Sequence, residues 1–148
     1  MAIRPLIIGL VTGCFDSPHP GLHAGHRKLL NVASNWCDVL HVYVNRDRYC
    51  RQFKGMDRPY QPLTERMDAL RAYAERLPCK TTVSVLMEDT PRAILSIIQP
   101  DVLVLGDDYR GQILPGVQYV QRVIFVPRAP GISTTQLGNP GTRSAVAR

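Results

Sequence analysis

The chain has 148 residues, of which 45% are hydrophobic and 20% are charged, a composition typical of one globular domain and not of a disordered chain. Lys and Arg outnumber Asp and Glu by 18 to 12, a net charge of +6, which favours either an anionic ligand or a basic solvated surface. No apolar run approaches the roughly 20 residues that a membrane-spanning helix needs, so no such helix is predicted.

Short apolar segments alternate with helical patterns along the chain. Strands are predicted over Leu6–Thr12, Val39–Val44, Val83–Met87, Val102–Leu105 and Val123–Val126, and helices over Gly25–Asn35, over Leu63–Arg76 and from the N-cap Thr90 to before Pro100. A polar, basic loop is predicted between Arg46 and Pro62. This alternation predicts a single α/β domain, a Rossmann-like, doubly wound, five-stranded parallel sheet.

The domain is expected to cover residues 1–137, and residues 138–148, which are rich in Gly and Pro, are expected to form a flexible tail. Ligands of such sheets bind beyond the carboxyl ends of the strands. The loops that follow the predicted strands are therefore where functional residues are expected.

The loop after the first strand contains Gly13-Cys-Phe-Asp16 and then His23-Ala-Gly-His26 at a helix start. Histidines three residues apart share a helix face, so both rings, together with free N–H groups of the first turn, can donate to phosphate. Gly25 would let a ligand approach the backbone closely. Two surface histidines are the alternative interpretation, and a zinc site would need a third ligand that the spacing does not supply.

The four cysteines, at positions 14, 37, 50 and 79, lack the C-x-x-C spacing of zinc or redox sites. Their even number leaves a disulfide open, but we interpret them as reduced thiols of a cytoplasmic protein. The apolar run that ends at Cys14 has the outline of a lipoprotein signal. Because Pro5 and Gly9 interrupt that run, a buried strand is the better interpretation.

These motifs resemble the nucleotidyltransferase superfamily of cytidylyltransferases and related adenylyltransferases. The opening is similar in Gly13-x-Phe-Asp16 and His-x-Gly-His, and the segments 100–111 and 128–135 resemble those of glycerol-3-phosphate cytidylyltransferases. The middle, from Val44 to Pro91, resembles instead the adenylyltransferase domain that makes ADP-heptose. The resemblance covers about Leu6 to Leu137, nearly the whole chain.

The resemblance implies transfer of CMP from CTP to a small phosphorylated acceptor, with glycerol 3-phosphate as the first choice, and release of pyrophosphate. The alternatives are adenylyl transfer from ATP to a sugar phosphate such as heptose 1-phosphate, and a nucleotide-binding module without turnover. Mg²⁺ is the implied cofactor and a homodimer the implied assembly. Neither a nucleic acid nor a membrane is an expected partner.

The resemblance also assigns roles to individual residues. Catalytic roles fall on His23, His26, Lys54 and Arg128, and a substrate-binding role falls on Arg66. Nucleotide binding is implied for Gly13, Phe15, Asp16, Gly25, Asp108, Gly131, Ile132, Ser133, Thr134 and Thr135. Asp16 is further expected near the Mg²⁺–triphosphate.

The sequence departs from the family pattern in the first loop. Six residues, Ser17 to Leu22, separate Phe-Asp from His-x-Gly-His, where the family has two. The insertion carries two prolines and a further histidine, His19. We expect it to reshape the pocket for a different acceptor or to weaken the phosphate contacts.

Overall fold

A computed structural model describes residues 4–127 of the chain. The predicted residues Arg128 and Gly131 to Thr135, and the tail 138–148, lie outside this described range. Five strands form one sheet: β1 (Ile8–Gly13), β2 (Val39–Asn45), β3 (Lys80–Leu86), β4 (Val102–Gly106) and β5 (Arg122–Val126). The helices are α1 (Ala24–Asn35), α2 (Asp47–Lys54), α3 (Leu63–Ala74) and α4 (Arg92–Ile98).

The sheet has the strand order β3-β2-β1-β4-β5, and every neighbouring pair is parallel. The predicted five-stranded, Rossmann-like sheet is therefore confirmed. The order reverses between β1 and β4, and the crevice beyond the carboxyl ends of these two strands is where ligands of open α/β sheets bind.

Two apolar layers cover the sheet, because successive side chains of a strand point to opposite faces. Val11 of β1 packs with Leu30 of α1 and Leu70 of α3 in one cluster. The neighbouring residue Leu10 packs with Leu95 of α4 in the other cluster. The apolar segments of the sequence are thus buried on both faces, as the prediction of a doubly wound sheet required.

One helix was missed by the sequence analysis, since α2 lies inside the segment predicted to be a loop. It buries only Cys50, so it lacks the apolar stripe by which a helix is recognised. Its remaining signals are local: Asp47 in the first turn and Lys54 in the last complement the helix dipole, and the rings of Tyr49 and Phe53, four residues apart, are in contact. The prediction that Thr90 is the N-cap of α4 is also wrong, because the N-cap is Pro91.

Within residues 4–127, no helix has the length and apolar character needed to cross a membrane.

Candidate active site at the carboxyl end of the sheet

The chain leaves β1 through a backbone turn that depends on Gly13 and Phe15. Phe15 is buried and has a φ of +53°, a left-handed conformation that bulky residues rarely adopt. A Cβ on Gly13 would lie 3.3 Å from the Phe15 ring. The ring contacts His26 edge-on, with 5.5 Å between the ring centroids. Both residues predicted to bind nucleotide therefore shape the loop that positions the histidines.

His23 is the N-cap of α1, and its ring nitrogen Nδ1 accepts hydrogen bonds from the N–H groups of Gly25 (3.0 Å) and His26 (3.2 Å). These two N–H groups are thus engaged, and the prediction that they are free for phosphate is wrong for this conformation. Because Nδ1 accepts, the proton of a neutral His23 ring resides on Nε2, which makes Nε2 a hydrogen-bond donor.

The two histidine rings stack, with centroids 3.5 Å apart and planes inclined by 20°. Burial, and secondarily the charge of His23, hold the pKa of His26 well below its usual value. His26 is therefore neutral at pH 7, which avoids repulsion between two stacked imidazolium rings. Its Nδ1 is buried without a hydrogen-bond partner, the one such side-chain atom among the described residues. Buried polar atoms are usually hydrogen-bonded, and an exception of this kind is accounted for by strain, by a catalytic role or by a bound water or ion.

Lys54, the last residue of α2, is brought to the same place. It is exposed, and its charge contributes to lowering the pKa of His26. The Lys54 charge also helps to lower the pKa of Cys14. That pKa is about 7, and the main cause of the lowering is a hydrogen bond with Cys50. The His23–His26 pair thus lies at the start of α1, and Lys54 is near enough for its charge to act on His26.

Asp16 lies at the centre of a buried polar network. It is 1% exposed, and its carboxylate accepts hydrogen bonds from Arg58 Nε (3.0 Å), Tyr60 N (2.8 Å) and Gln61 N (3.0 Å). Because a buried carboxylate is stable only when its oxygens are satisfied, this network fixes the segment 58–61 against the loop after β1.

Arg66, predicted to bind the substrate, is instead completely buried in α3. Its guanidinium donates to the carbonyl oxygens of Cys14 (2.7 Å), Asn45 (2.9 Å) and Gln61 (3.0 Å) and forms an ion pair with Asp47. A side chain with no exposed surface does not contact a ligand in this conformation. Arg66 therefore positions the site: it ties the ends of β1 and β2, the start of α2 and the 58–61 segment together.

Magnesium binding by Asp16 does not fit this arrangement, because its two oxygens already accept three hydrogen bonds from the protein. Mg²⁺ at phosphate sites commonly takes few protein ligands and relies on water and phosphate oxygens. A role for Mg²⁺ carried by the triphosphate stays a prediction. No group of three or more His, Cys, Asp or Glu residues able to hold a metal occurs within residues 4–127.

Beyond β4, the chain turns through a short 3-10 helix, Asp107–Tyr109. Asp107 pairs with Arg110 at 2.8 Å, and a Cβ on Gly106 would lie 2.7 Å from Asp108 Oδ1. The Asp108 carboxylate thus folds back over Gly106 at the carboxyl end of the sheet. A nucleoside contact for Asp108 stays a prediction.

Sequence reasoning did not identify Arg58, Gln61 and Asp47 as residues of the site. Arg58 directly precedes Pro59, and Gln61 directly precedes Pro62, in a segment that had the pattern of an exposed loop. Their burial depends on acceptors more than 40 positions away, Asp16 for Arg58 and the Ser17 carbonyl for Gln61. The only available signal was that these positions belong to the segment that resembles adenylyltransferases.

Comparison with known proteins places the chain among relatives of similar sequence. Residues 10–137 match the family described as cytidylyltransferase-like. The chain is 41% identical over 129 residues to the bifunctional protein HldE of Streptomyces coelicolor, a match covering 84% of this chain. It is also 41% identical over 132 residues to that of Acidiphilium cryptum, covering 86% of this chain. In each case the match covers 26% of the relative, so the chain spans about a quarter of the length of these curated relatives.

Two solved structures share the fold at low sequence identity. One is a lipopolysaccharide core biosynthesis protein from Thermoplasma volcanium, with a TM-score of 0.62, 20% identity and coverage of 84% of this chain and 99% of that one. The other is a pantoate-β-alanine ligase from Francisella tularensis, with a TM-score of 0.55, 17% identity and coverage of 97% of this chain and 68% of that one.

Proposed function

The chain belongs to the cytidylyltransferase-like family, and from this premise we propose that it transfers AMP from ATP to a phosphorylated sugar with release of pyrophosphate. The observation that carries the proposal is the stacked His23–His26 pair at the start of α1, with the exposed charge of Lys54 beside it. These groups are hydrogen-bond donors or cations, and they gather where the strand order of the sheet reverses.

The pair suits a triphosphate because each histidine has a distinct, fixed state. His23 is held by its N-cap bonds with Nε2 as the donor, and His26 is neutral with a buried ring nitrogen that has no partner. Phosphate oxygens would accept hydrogen bonds from both rings. Lys54 at the end of α2 would add a mobile positive charge.

In the proposed reaction, an oxygen of the acceptor phosphate attacks the α-phosphorus of ATP, and the bond from this phosphorus to the bridging oxygen of pyrophosphate breaks. The electron pair of that bond leaves with pyrophosphate. Because little covalent chemistry falls on the protein, its contribution is to position the reactants and to stabilise charge that builds on phosphate oxygens. A preorganised donor of this kind typically contributes about 10²–10³ in rate.

The choice of ATP is supported by the middle of the chain. The segment from Val44 to Pro91, which resembles the ADP-heptose adenylyltransferase domain, supplies Lys54, Arg58, Gln61 and Arg66, which build the site. The two relatives named above match 84% and 86% of this chain and share one name, HldE. We therefore favour a sugar phosphate such as heptose 1-phosphate as the acceptor.

Transfer of CMP from CTP to glycerol 3-phosphate is the second candidate. It is supported by Arg128 and by Gly131-Ile-Ser-Thr-Thr135, which resemble the cytidylyltransferase signature but lie outside the described residues. The two candidates therefore depend on different parts of the chain and make different predictions.

The test is pyrophosphate release in the presence of Mg²⁺, with ATP and CTP each paired with heptose 1-phosphate and with glycerol 3-phosphate. Release that requires both ATP and heptose 1-phosphate is the expected result. Release only from CTP with glycerol 3-phosphate would replace the first candidate by the second. ATP binding without release from any pair would contradict both and would favour a nucleotide-binding module.

A further inference from the structure

The insertion Ser17–Leu22 is held in a defined conformation by one buried amide. Gln61 is 8% exposed, and its Nε2 donates to the carbonyl oxygens of Ser17 (2.9 Å) and His19 and lies 3.5 Å from that of Gly21. Three carbonyl oxygens around Nε2 fix the orientation of the amide. The inserted residues are thus built into the site by the same 58–61 segment that the Asp16 network holds.

A surface cavity of about 470 Å³, open to solvent on one side, lies between this insertion and α3. Its lining combines Pro18 and His19 of the insertion with Tyr60, Gln61, Glu65 and Asp68. Gln61 Oε1 has no hydrogen-bond partner among residues 4–127, yet it is not a buried unpaired atom. It is therefore accessible to solvent, and Gln61 is one of the residues that line the cavity.

The residues that line the cavity disfavour the binding of a phosphate group. Neither lysine nor arginine is among the described residues that line the cavity, whereas two carboxylates, Glu65 and Asp68, are. Carboxylate and amide oxygens accept hydrogen bonds from hydroxyl groups, and the Tyr60 ring and the prolines offer apolar surface to the C–H faces of a carbon chain. This combination fits a hydroxyl-rich ligand without charge.

The cavity adjoins the histidine pair. Gly21 lines the cavity, and His23, the N-cap of α1, is two residues further along the chain, so the two positions are at most about 7 Å apart. The histidines do not line the cavity, but this short separation is compatible with one ligand whose phosphate contacts the histidines and whose carbon chain lies in the cavity.

We propose that this cavity binds the hydroxyl-bearing carbon chain of the phosphorylated acceptor, and that Glu65, Asp68 and Gln61, together with the Ser17–Leu22 insertion, determine which acceptor is used. The inference rests on the proposed function, since it names the place of the acceptor in that reaction. The cavity excludes the acceptor's phosphate and leaves it to His23, His26 and Lys54.

The test compares the double variant Glu65→Ala/Asp68→Ala, which removes both acceptor groups, with the control Glu75→Ala, which removes a carboxylate at the C-cap of the same helix, outside the cavity lining. All three carboxylates are exposed, so the variants are expected to fold. In the pyrophosphate assay, the double variant should raise KM for heptose 1-phosphate by about tenfold or more. KM for ATP and both constants of the control should not change. An unchanged acceptor KM, or a parallel rise of both KM values, would overturn the inference.

A second measurement separates this inference from the proposed function. Binding of unphosphorylated heptose to the protein without nucleotide is followed by saturation-transfer NMR. The wild type and Glu75→Ala should show transfer, and the double variant Glu65→Ala/Asp68→Ala should not. If no nucleotide pair releases pyrophosphate but this pattern of heptose binding holds, the proposed reaction is wrong and the cavity assignment stands. If neither heptose nor heptose 1-phosphate binds the wild type, the cavity assignment is wrong.

Discussion

The aspartates and arginines at the two ends of the sheet differ in their exposure to solvent. At the amino end, Asp38 accepts the N–H of Ile7 at 2.7 Å and pairs with Arg4 at 2.7 Å. Asp101 accepts the N–H of Ile8 at 2.8 Å. The Arg4 side chain is 68% exposed, so this end has the character of a solvated surface that caps the first strand.

At the carboxyl end, the same residue types are buried. Asp16, Arg58 and Arg66 are 1%, 5% and 0% exposed. Exposed ion pairs contribute little to stability because water screens them, whereas a buried charge is strongly destabilising once its partner is removed. The difference teaches that the buried charges of the carboxyl end hold loops in a fixed arrangement, whereas the charges of the amino end lie at a solvated surface.

The largest effect is expected from His23→Ala/His26→Ala, which removes the histidine pair that we propose to contact phosphate. Each lost donor should reduce kcat by about 10²–10³, measured by pyrophosphate release. The loss of the His23 N-cap should also reduce stability by about 1 kcal/mol, measured by urea unfolding. His41→Ala, which changes a histidine paired with Thr82 at 2.8 Å on the sheet, serves as the control. Retained turnover in the double variant would contradict the proposed site.

The variant Arg66→Met tests how much the buried hydrogen bonds of Arg66 contribute to the free energy of unfolding. The substitution leaves three carbonyl oxygens and Asp47 without their donor, and breaking a buried charge network of this kind typically costs about 3–5 kcal/mol of unfolding free energy. Arg71→Met on the same helix is the matched control. Arg71 is 58% exposed, and its ion pair with Asp68 is long at 4.0 Å. Equal losses in the two variants on urea unfolding would show that burial does not distinguish the two arginines.

The lowered pKa of His26, a half-buried residue, predicts a dependence of stability on pH. The pKa of His26 in the folded chain lies below that of the unfolded chain, which is about 6.5, so the unfolded chain binds the proton first as pH falls. The unfolding free energy should therefore decrease below about pH 6.5, by at most about 1.4 kcal/mol per pH unit. Urea unfolding between pH 7 and 5 should show a weaker dependence in His26→Gln. Identical pH profiles of the two proteins would contradict the lowered pKa of His26.

The smallest effect is expected from Asp38→Asn at the amino end. The Arg4 guanidinium holds the pKa of Asp38 at about 2, so its stabilising effect is present above the ordinary aspartate pKa and is lost as pH falls through about 2. At pH 7 the thermal midpoint should decrease far less than in Arg66→Met, and the decrease should shrink in high salt. If the thermal midpoint decreased as much as in Arg66→Met, the exposed charges of the amino end would matter as much for stability as the buried charges of the carboxyl end.

The fold was predictable because its signals are local. Val102–Gly106 forms β4 where Val102–Leu105 was predicted, since a run of apolar residues buried on both faces has few alternatives. The helix start at His23 was also local, and α1 begins at Ala24. The helix α2 was not predicted because Cys50 is its single buried residue, and one buried residue does not establish a helical period of apolar residues.

The site was predictable only in part. The spacing of His23 and His26 was enough to place both rings together. It could not show that His23 engages the N–H groups of Gly25 and His26, because that depends on the rotamer chosen in the folded loop. Gln61 could not be identified either, since its three carbonyl neighbours come from a segment about 40 positions earlier.

The sequence by itself determined the parallel α/β sheet, the histidine pair and the family, because apolar periodicity and motif spacing reside in neighbouring residues. Only the tertiary structure decided which charges are buried. Arg66 and Arg71 are both arginines of α3, five residues apart, yet one is completely buried and the other is 58% exposed. The reason is that the acceptors of Arg66 lie at Cys14, Asn45 and Asp47, and only the packing of α3 against the ends of β1 and β2 brings them within hydrogen-bond distance.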